Sequence, residues 1–126
     1  MESKQETIGV RPTEYSEFHR TLGGECYATD IDFVEWRIGR GIVGFFAVTG
    51  RLKDERHLKN SKPMIWARTE VERQILYQLS ISTGKPAFLV IHTSNMNIFH
   101  VHNIKNSIDK FDRMDQEEYT QFIRKL

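Results

Sequence analysis

The stretch that decides the fold is DIDFVEWRIGRGIVGFFAVTG, residues 30–50. It contains two runs rich in β-branched and aromatic residues, 30–37 and 42–50, separated by the glycine-containing turn 38–41. Two such runs on either side of a short turn predict an antiparallel hairpin. The second run is almost continuously apolar, which indicates a central strand that is covered on both faces.

A long helix and a buried strand are predicted after the hairpin. Pro63 suits the first turn of a helix, and Gly84 and Pro86 mark its end. Residues 87–92 are a short apolar run, as expected of a buried strand. A helix that leads directly into such a strand is typical of an α/β unit. The apolar stripe of the helix consists of Ala67, Val71, Ile75 and Leu79.

Three further elements complete the predicted order. Thr13 suits the N-cap of a short helix that ends at Gly23. Residues 98–102 are expected to form a further, more exposed strand. Asp115 and Glu118 have the spacing of a capping box. The C-terminal helix that follows should bury Tyr119, Phe122, Ile123 and Leu126. The order α, β, β, α, β, β, α predicts an α/β fold.

Length and composition indicate one globular domain. The chain has 126 residues, of which 39% are hydrophobic and 28% charged, and these values are ordinary for a folded domain. Residues 1–11 are polar and without periodicity, so we expect a flexible N-terminal tail, followed by a single domain over residues 12–126.

No segment predicts a membrane span, a signal peptide or a disulfide. The longest apolar stretches, 42–48 and 87–91, are far shorter than the roughly 20 residues that cross a bilayer. Cys26 is the only cysteine, which excludes an intramolecular disulfide and a multi-cysteine zinc site. The sequence therefore predicts a cytoplasmic protein without a membrane partner.

The charges are unevenly distributed along the chain. Residues 1–36 carry three basic side chains against eight acidic ones, a net charge of −5, and residues 37–104 carry ten against four, a net charge of +6. This asymmetry suits a carboxylate site beside a phosphate-binding surface, although solvated faces also differ in charge by chance.

The element order and the aspartates that open the hairpin resemble the PD-(D/E)XK superfamily of metal-dependent nucleases over residues 13–92. The resemblance implies a restriction-endonuclease-like αββαβ core with a mixed central sheet, to which this chain adds a strand and a C-terminal helix. In that superfamily an aspartate on the first hairpin strand and a Glu-Xaa-Lys element on the second hold Mg²⁺ and activate water. Asp32, in Asp32-Phe33-Val34-Glu35, resembles the aspartate element.

The second element departs from the superfamily, because Ala47 and Thr49 stand where a carboxylate and a lysine are expected. The missing groups would have to come from neighbouring positions. The resemblance then implies a catalytic set of Asp32, Lys53 and Glu17, and a set of ligands for Mg²⁺ or Mn²⁺ that consists of Asp32, Asp30 and Glu17, with Glu14 as a substitute for Glu17.

Each of these residues also has an ordinary structural interpretation. Asp30 and Asp32 lie two residues apart on the first predicted strand and would share one face, as paired ligands do, but acids at the start of a strand are also common turn residues. Glu17 faces away from the apolar stripe of its helix, where most glutamates are simply exposed. Glu35 lies on the opposite face of the strand from both aspartates.

The segment 51–62 is polar and basic and is read as a surface loop or a short exposed helix. Its cations can neutralise the phosphates of a nucleic-acid backbone, with DNA favoured by the resemblance, but aromatic residues for base stacking are absent from it. The predicted phosphate contacts are Arg51, Lys53, Arg56, Lys59 and Lys62.

The remaining sequence patterns give weaker indications of function. His92, His100 and His102 lie on two neighbouring predicted strands and can in principle bind a metal, but half-exposed edge histidines are the commoner case. Gln74 and Gln78 lie one turn apart on the predicted long helix. No phosphate-binding glycine loop, serine-nucleophile elbow or zinc-protease motif occurs.

Two functions remain open. The first is a nucleic-acid-engaging domain of nuclease fold that cuts DNA as a metal-dependent endonuclease. The second is a catalytically inactive descendant that serves as a nucleic-acid-binding or protein-assembly module, which includes assembly as a homodimer. Mg²⁺ or Mn²⁺ is expected only in the first case.

Overall fold

The structure is a computed structural model that describes residues 13–26 and 28–126, with the exception of the side chain of Arg51. The predicted tail, residues 1–11, lies outside the described residues. The elements in chain order are α1 (Thr13–Arg20), β1 (Phe33–Arg37), β2 (Gly41–Leu52), α2 (Glu55–Arg68), α3 (Glu70–Thr83), β3 (Ala87–Thr93), β4 (Ile98–Asn103), β5 (Asp112–Asp115) and α4 (Gln116–Arg124).

The strands form one mixed sheet in the order β1-β2-β3-β4-β5. Only β2 and β3 are parallel, and the other neighbouring pairs are antiparallel. The predicted hairpin is confirmed, with Phe33 opposite Phe46 and a turn closed by the hydrogen bond from Arg40 N to Arg37 O. The α/β fold class with a mixed central sheet is thus confirmed.

Helices cover both faces of the sheet. Because side chains alternate along a strand, Phe45 and Ala47 of β2 point towards α3, whereas Phe46 points towards α4. The first core cluster consists of Phe45, Ala47, Leu76, Ala87, Leu89 and Ile104. The second consists of Phe46, Phe88, Val90, Phe99 and Val101, against which α4 packs Tyr119, Phe122 and Ile123.

Of the two alternatives predicted for residues 51–62, the loop was wrong and a helix is present, although it is longer than expected. Asp54 caps α2 by accepting a hydrogen bond from His57 N at 2.8 Å, and the helix runs through Pro63 to Arg68. An interior proline costs a helix about 3 kcal/mol. Leu58 and Ile65 are 0% and 1% exposed where α2 packs against the sheet. Their burial offsets the cost of the proline.

The predicted helix from Pro63 to Gly84 is two helices that meet at Thr69. The Thr69 hydroxyl donates to Ile65 O at 2.9 Å, and α3 begins at the next residue. The break shifts the phase of the apolar face, so the first half of the predicted stripe was wrong: Ala67 and Val71 are exposed, whereas Ile75 is half-buried and Leu79 packs against the first core cluster. The buried residues of α3 are Leu76 and Ser80.

The end of the chain contains one element that was not predicted. β5 is short and rich in charge, and it covers β4, so β4 is buried and the expectation of an exposed strand was wrong. The capping box is confirmed: Asp115 Oδ1 accepts from Glu118 N at 2.8 Å, and Glu118 Oε1 accepts from Asp115 N at 3.0 Å.

The apolar side chains of α1 do not enter the core. Tyr15 and Phe18 are 65% and 57% exposed, and α1 buries none of its residues. None of the helices in the described part of the chain has the length and apolar content needed to cross a membrane.

Two buried histidines should make the fold sensitive to acid. His100 and His102 of β4 are 3% and 1% exposed, and burial lowers the pKa of each. Their unfolded pKa, about 6.5, therefore lies above the folded value, so protonation favours the unfolded chain as pH falls through this range.

We expect the free energy of unfolding in urea to fall between about pH 7 and pH 5. The pKa of Glu55 is lowered by its hydrogen bond to Arg113. This residue therefore affects the free energy of unfolding in a separate and more acidic pH range. The His102→Gln variant should show a shallower decline than the wild type. Equal stability of the wild-type chain at pH 7 and pH 5 would contradict this explanation.

Candidate functional site

A cavity of about 360 Å³ lies where the segment before β1 meets β2 and the beginning of α3. We call it the acidic pocket. Its polar lining comes from three parts of the chain: Asp30 and Asp32, Thr49 of β2, and Thr69 and Glu72 at the junction of α2 and α3. Ala47 forms part of its wall.

Asp32 is fixed by the strand beside it. Its Oδ2 accepts a hydrogen bond from Val48 N at 2.8 Å, which ties the segment before β1 to β2. The side chain is exposed, and its second oxygen carries no hydrogen bond to the described residues. One carboxylate oxygen therefore has a structural role, and the other is available to a ligand at the pocket.

Glu72 lines the same pocket, and one of its carboxylate oxygens is unsatisfied. It lies in the first turn of α3, and its Oε2 is buried without a hydrogen-bond partner among the described residues. An ionised carboxylate oxygen without a partner in a buried position is costly. The oxygen would be stabilised by a cation or by a donor that enters the pocket from outside.

Glu72 lines the pocket together with a part of β2 that carries no charged side chain. Ala47 is 6% exposed and has no polar side-chain atom, and Thr49 offers only a hydroxyl. Both point to the face that α3 covers, so a carboxylate from the helix stands above the strand positions that lack one. The sequence alone does not indicate a role for Glu72, because the placement of this residue depends on the helix break at Thr69.

The other predicted catalytic residues are not brought into this pocket. Lys53 is exposed in the bend between β2 and Asp54, and Glu17 is exposed on α1. An adjoining cavity of about 400 Å³ shares Asp30 with the acidic pocket. Its walls on the α1 side include His19 and Arg20, and Glu17 and Glu14 are absent from them.

Three predicted phosphate contacts lie on the surface near α2. Lys53, Arg56 and Lys59 are exposed, and no ion pair engages them within the described part of the chain. Lys62 is half-buried, with its Nζ 5.3 Å from the centre of the Phe111 ring. The side chain of Arg51 lies outside what the structure describes. Glu55, in the first turn of α2, forms an ion pair with Arg113.

The three strand histidines do not converge. His92 lies on the α4 face beside Phe99, whereas His100 and His102 lie under α2. His100 Nε2 is 3.5 Å from Glu55 Oε2, and His102 Nδ1 hydrogen-bonds to Lys110 O at 2.8 Å. The expectation of half-exposed edge histidines was wrong, since all three are buried.

Gln74 and Gln78 line a separate cavity of about 450 Å³, together with Trp66, Arg73 and His102. The Arg73 guanidinium stacks 3.7 Å above the Trp66 ring, and its Nη2 donates to Trp66 O at 2.7 Å. Neither glutamine reaches the acidic pocket. No group of three or more histidine, cysteine, aspartate or glutamate side chains among residues 13–26 and 28–126 is arranged to hold a metal ion.

Comparisons with protein-family models, with curated proteins and with solved structures found no match to this chain.

Proposed function

We propose that the chain is a nucleic-acid-engaging domain of restriction-endonuclease-like fold, whose acidic pocket binds a divalent cation and supports hydrolysis of phosphodiesters in DNA. The observation that carries the proposal is Glu72, which lines the same pocket as Asp32 and whose carboxylate oxygen Oε2 is buried without a partner among the described residues. The pocket lies at the hairpin position where the nuclease resemblance requires a site.

The donor set fits a hard cation such as Mg²⁺ or Mn²⁺. Carboxylates from Asp32 and Glu72 and the hydroxyl of Thr49 are all oxygen donors. Mg²⁺ in nucleic-acid enzymes commonly takes one or two protein carboxylates and completes its shell with waters and substrate phosphates. Two carboxylates are therefore sufficient, and a third acidic side chain is not required.

Each residue of the pocket has a distinct part in this proposal. A bound cation would supply a more acidic water and neutralise charge on the phosphate. Asp32, held by Val48 N, is the rigid ligand, and Glu72 is the ligand whose free oxygen gains a partner. Ala47 keeps the wall of the pocket apolar. The pocket lining contains no lysine, so Lys53 is assigned to substrate binding.

The fold supports the proposal through its order of elements. The hairpin β1–β2 is followed by a helical crossover to β3, which is parallel to β2, in a mixed sheet. Exposed Lys53, Arg56 and Lys59 supply the cationic surface that a phosphate backbone requires. The paired helices α2 and α3 and the edge strand β5 are additions to the expected core.

A second candidate is a non-catalytic module that binds nucleic acid or assembles with a protein. One observation favours it: one carboxylate oxygen of Asp32 already accepts a hydrogen bond from Val48 N, as that of a purely structural aspartate would. This candidate needs no cation, so the two proposals differ in a measurable way.

We expect the purified chain to cleave single-stranded, duplex or branched DNA when Mg²⁺ or Mn²⁺ is present, and to be inert in EDTA. The Glu72→Gln and Asp32→Ala variants should lose at least about tenfold in rate, because each removes a cation ligand. Glu70→Gln, an exposed first-turn glutamate of the same helix, is the matched control and should retain the rate.

Cleavage that survives Asp32→Ala and Glu72→Gln would contradict the catalytic proposal. So would a wild-type chain that cuts neither DNA nor RNA with either ion. Salt-sensitive binding without cleavage would select the second candidate.

The cationic surface can be tested separately by fluorescence anisotropy with labelled DNA. Lys59→Glu and Arg56→Glu should weaken binding and lower the slope of log Kd against log salt concentration by about one unit each. Lys85→Glu, exposed in the loop between α3 and β3, should leave the slope unchanged. If all three variants changed the affinity and the salt slope equally, α2 would not be part of the binding surface.

A further inference from the structure

The outer face of the hairpin carries a patch of exposed apolar side chains. Val34 and Trp36 of β1 are 49% and 55% exposed, and Ile42, directly opposite Trp36, is 41% exposed. Ile38 in the connecting turn is 60% exposed. Contiguous apolar surface that includes a tryptophan is characteristic of an interaction site rather than of a solvated face.

The patch lies on a strand that has room for a neighbour. β1 is at the edge of the sheet, so its outward N–H and C=O groups have no strand partner within the described part of the chain. The helices α2 and α3 pack on β2 and β3 and leave the apolar face of β1 uncovered. The opposite edge, β5, is protected by Asp112, Arg113 and Asp115, a usual defence of an edge strand.

The other face of β1 carries two opposite charges. Glu35 and Arg37 lie two residues apart and form an ion pair of 2.9 Å. Arg37 also donates from Nη2 to Ile123 O at 2.7 Å, which holds its guanidinium at the edge of the sheet. β1 is therefore apolar on one face and bears one acid and one base in fixed positions on the other.

We propose that β1 is a homodimer interface, in which two copies pair their β1 strands antiparallel about a two-fold axis through Trp36. In this register Trp36 faces Trp36 of the partner subunit and Val34 faces the partner's Ile38. Glu35 of each copy faces the partner's Arg37. The four charges then form a closed network, and the two sheets join into one continuous sheet.

The sequence of β1 selects this register. Residues that face each other across an antiparallel pair lie on the same face of the sheet, so a shift by one residue would set charged side chains against apolar ones. A shift that keeps the faces, centred on Glu35, would place two like charges opposite each other. In the register centred on Trp36, apolar side chains face apolar side chains, and each charged side chain faces one of opposite charge.

This self-complementarity is the reason to assign a second copy as the partner, since a two-fold interface requires one patch to match itself. The proposal does not rest on the acidic pocket, because no residue of β1 lines it.

Charge reversal provides a direct test by light scattering coupled to size-exclusion chromatography. The full wild-type chain should have twice the mass of a single chain. Glu35→Arg alone and Arg37→Glu alone should each raise the dimer dissociation constant at least about tenfold, because like charges then meet in both positions. An equimolar mixture of the two variants should restore the dimer, since every facing pair becomes opposite in charge.

Trp36→Ser tests the apolar centre without touching either charge, and it should also give monomers. Ile81→Ser is the matched control, because Ile81 is 64% exposed on α3 and distant in sequence from the hairpin. Circular dichroism confirms that each variant is folded. A monomeric wild-type chain, dimers that persist in Trp36→Ser, or a mixture of charge variants that stays monomeric would each overturn the proposal.

Discussion

The burial of β2 on both faces is the constraint on which the rest of the structure depends. Phe45 and Ala47 pack under α3, and Phe46 packs towards α4, so the strand needs a layer of helix on each side. β2 also needs a strand on each edge, and its neighbour β3 is parallel to it. A parallel neighbour requires a crossover, and the crossover α2–α3 places the first turn of α3, with Glu72, above β2.

This arrangement places a carboxylate from a helix close to strand positions that carry no charged side chain. Asp32 is anchored to Val48 N, and Thr49 follows at the rim of the pocket. Gly50, with φ of +87°, then forms a bulge in the pairing with β3, and a Cβ there would lie 3.0 Å from Ile91 Cγ2. The backbone of β2 therefore bends directly after the pocket, which gives the site a defined edge.

The parts of the fold that follow strong periodicity could be predicted from the sequence. The hairpin, β3 and the capped helix α4 have continuous or regularly spaced apolar residues, and all three are confirmed. The extent of α2 was not predicted because only Leu58 and Ile65, two turns apart, are buried in it. Polar β5 has no apolar pattern at all, and its pairing with β4 depends on tertiary contacts.

Two of the predicted site residues line the acidic pocket, and its third carboxylate was not predicted. Asp30 and Asp32 line the acidic pocket, whereas the residue with the orphaned oxygen, Glu72, comes from a helix whose phase is set by the break at Thr69. Periodicity over residues 63–84 treats the two helices as one, so it places Val71 in the apolar stripe although this residue is exposed. The positions of Lys53 and Glu17 likewise depend on how the bend before α2 and the helix α1 are placed, which local sequence does not determine.

The central claim is that the acidic pocket binds a divalent cation through Glu72. Titration calorimetry with Mn²⁺ on the purified chain, without nucleic acid, tests it most directly. We expect one Mn²⁺ per chain, with affinity reduced at least about tenfold in Glu72→Gln and unchanged in Glu70→Gln. No binding by the wild-type chain, or equal binding by all three proteins, would contradict it.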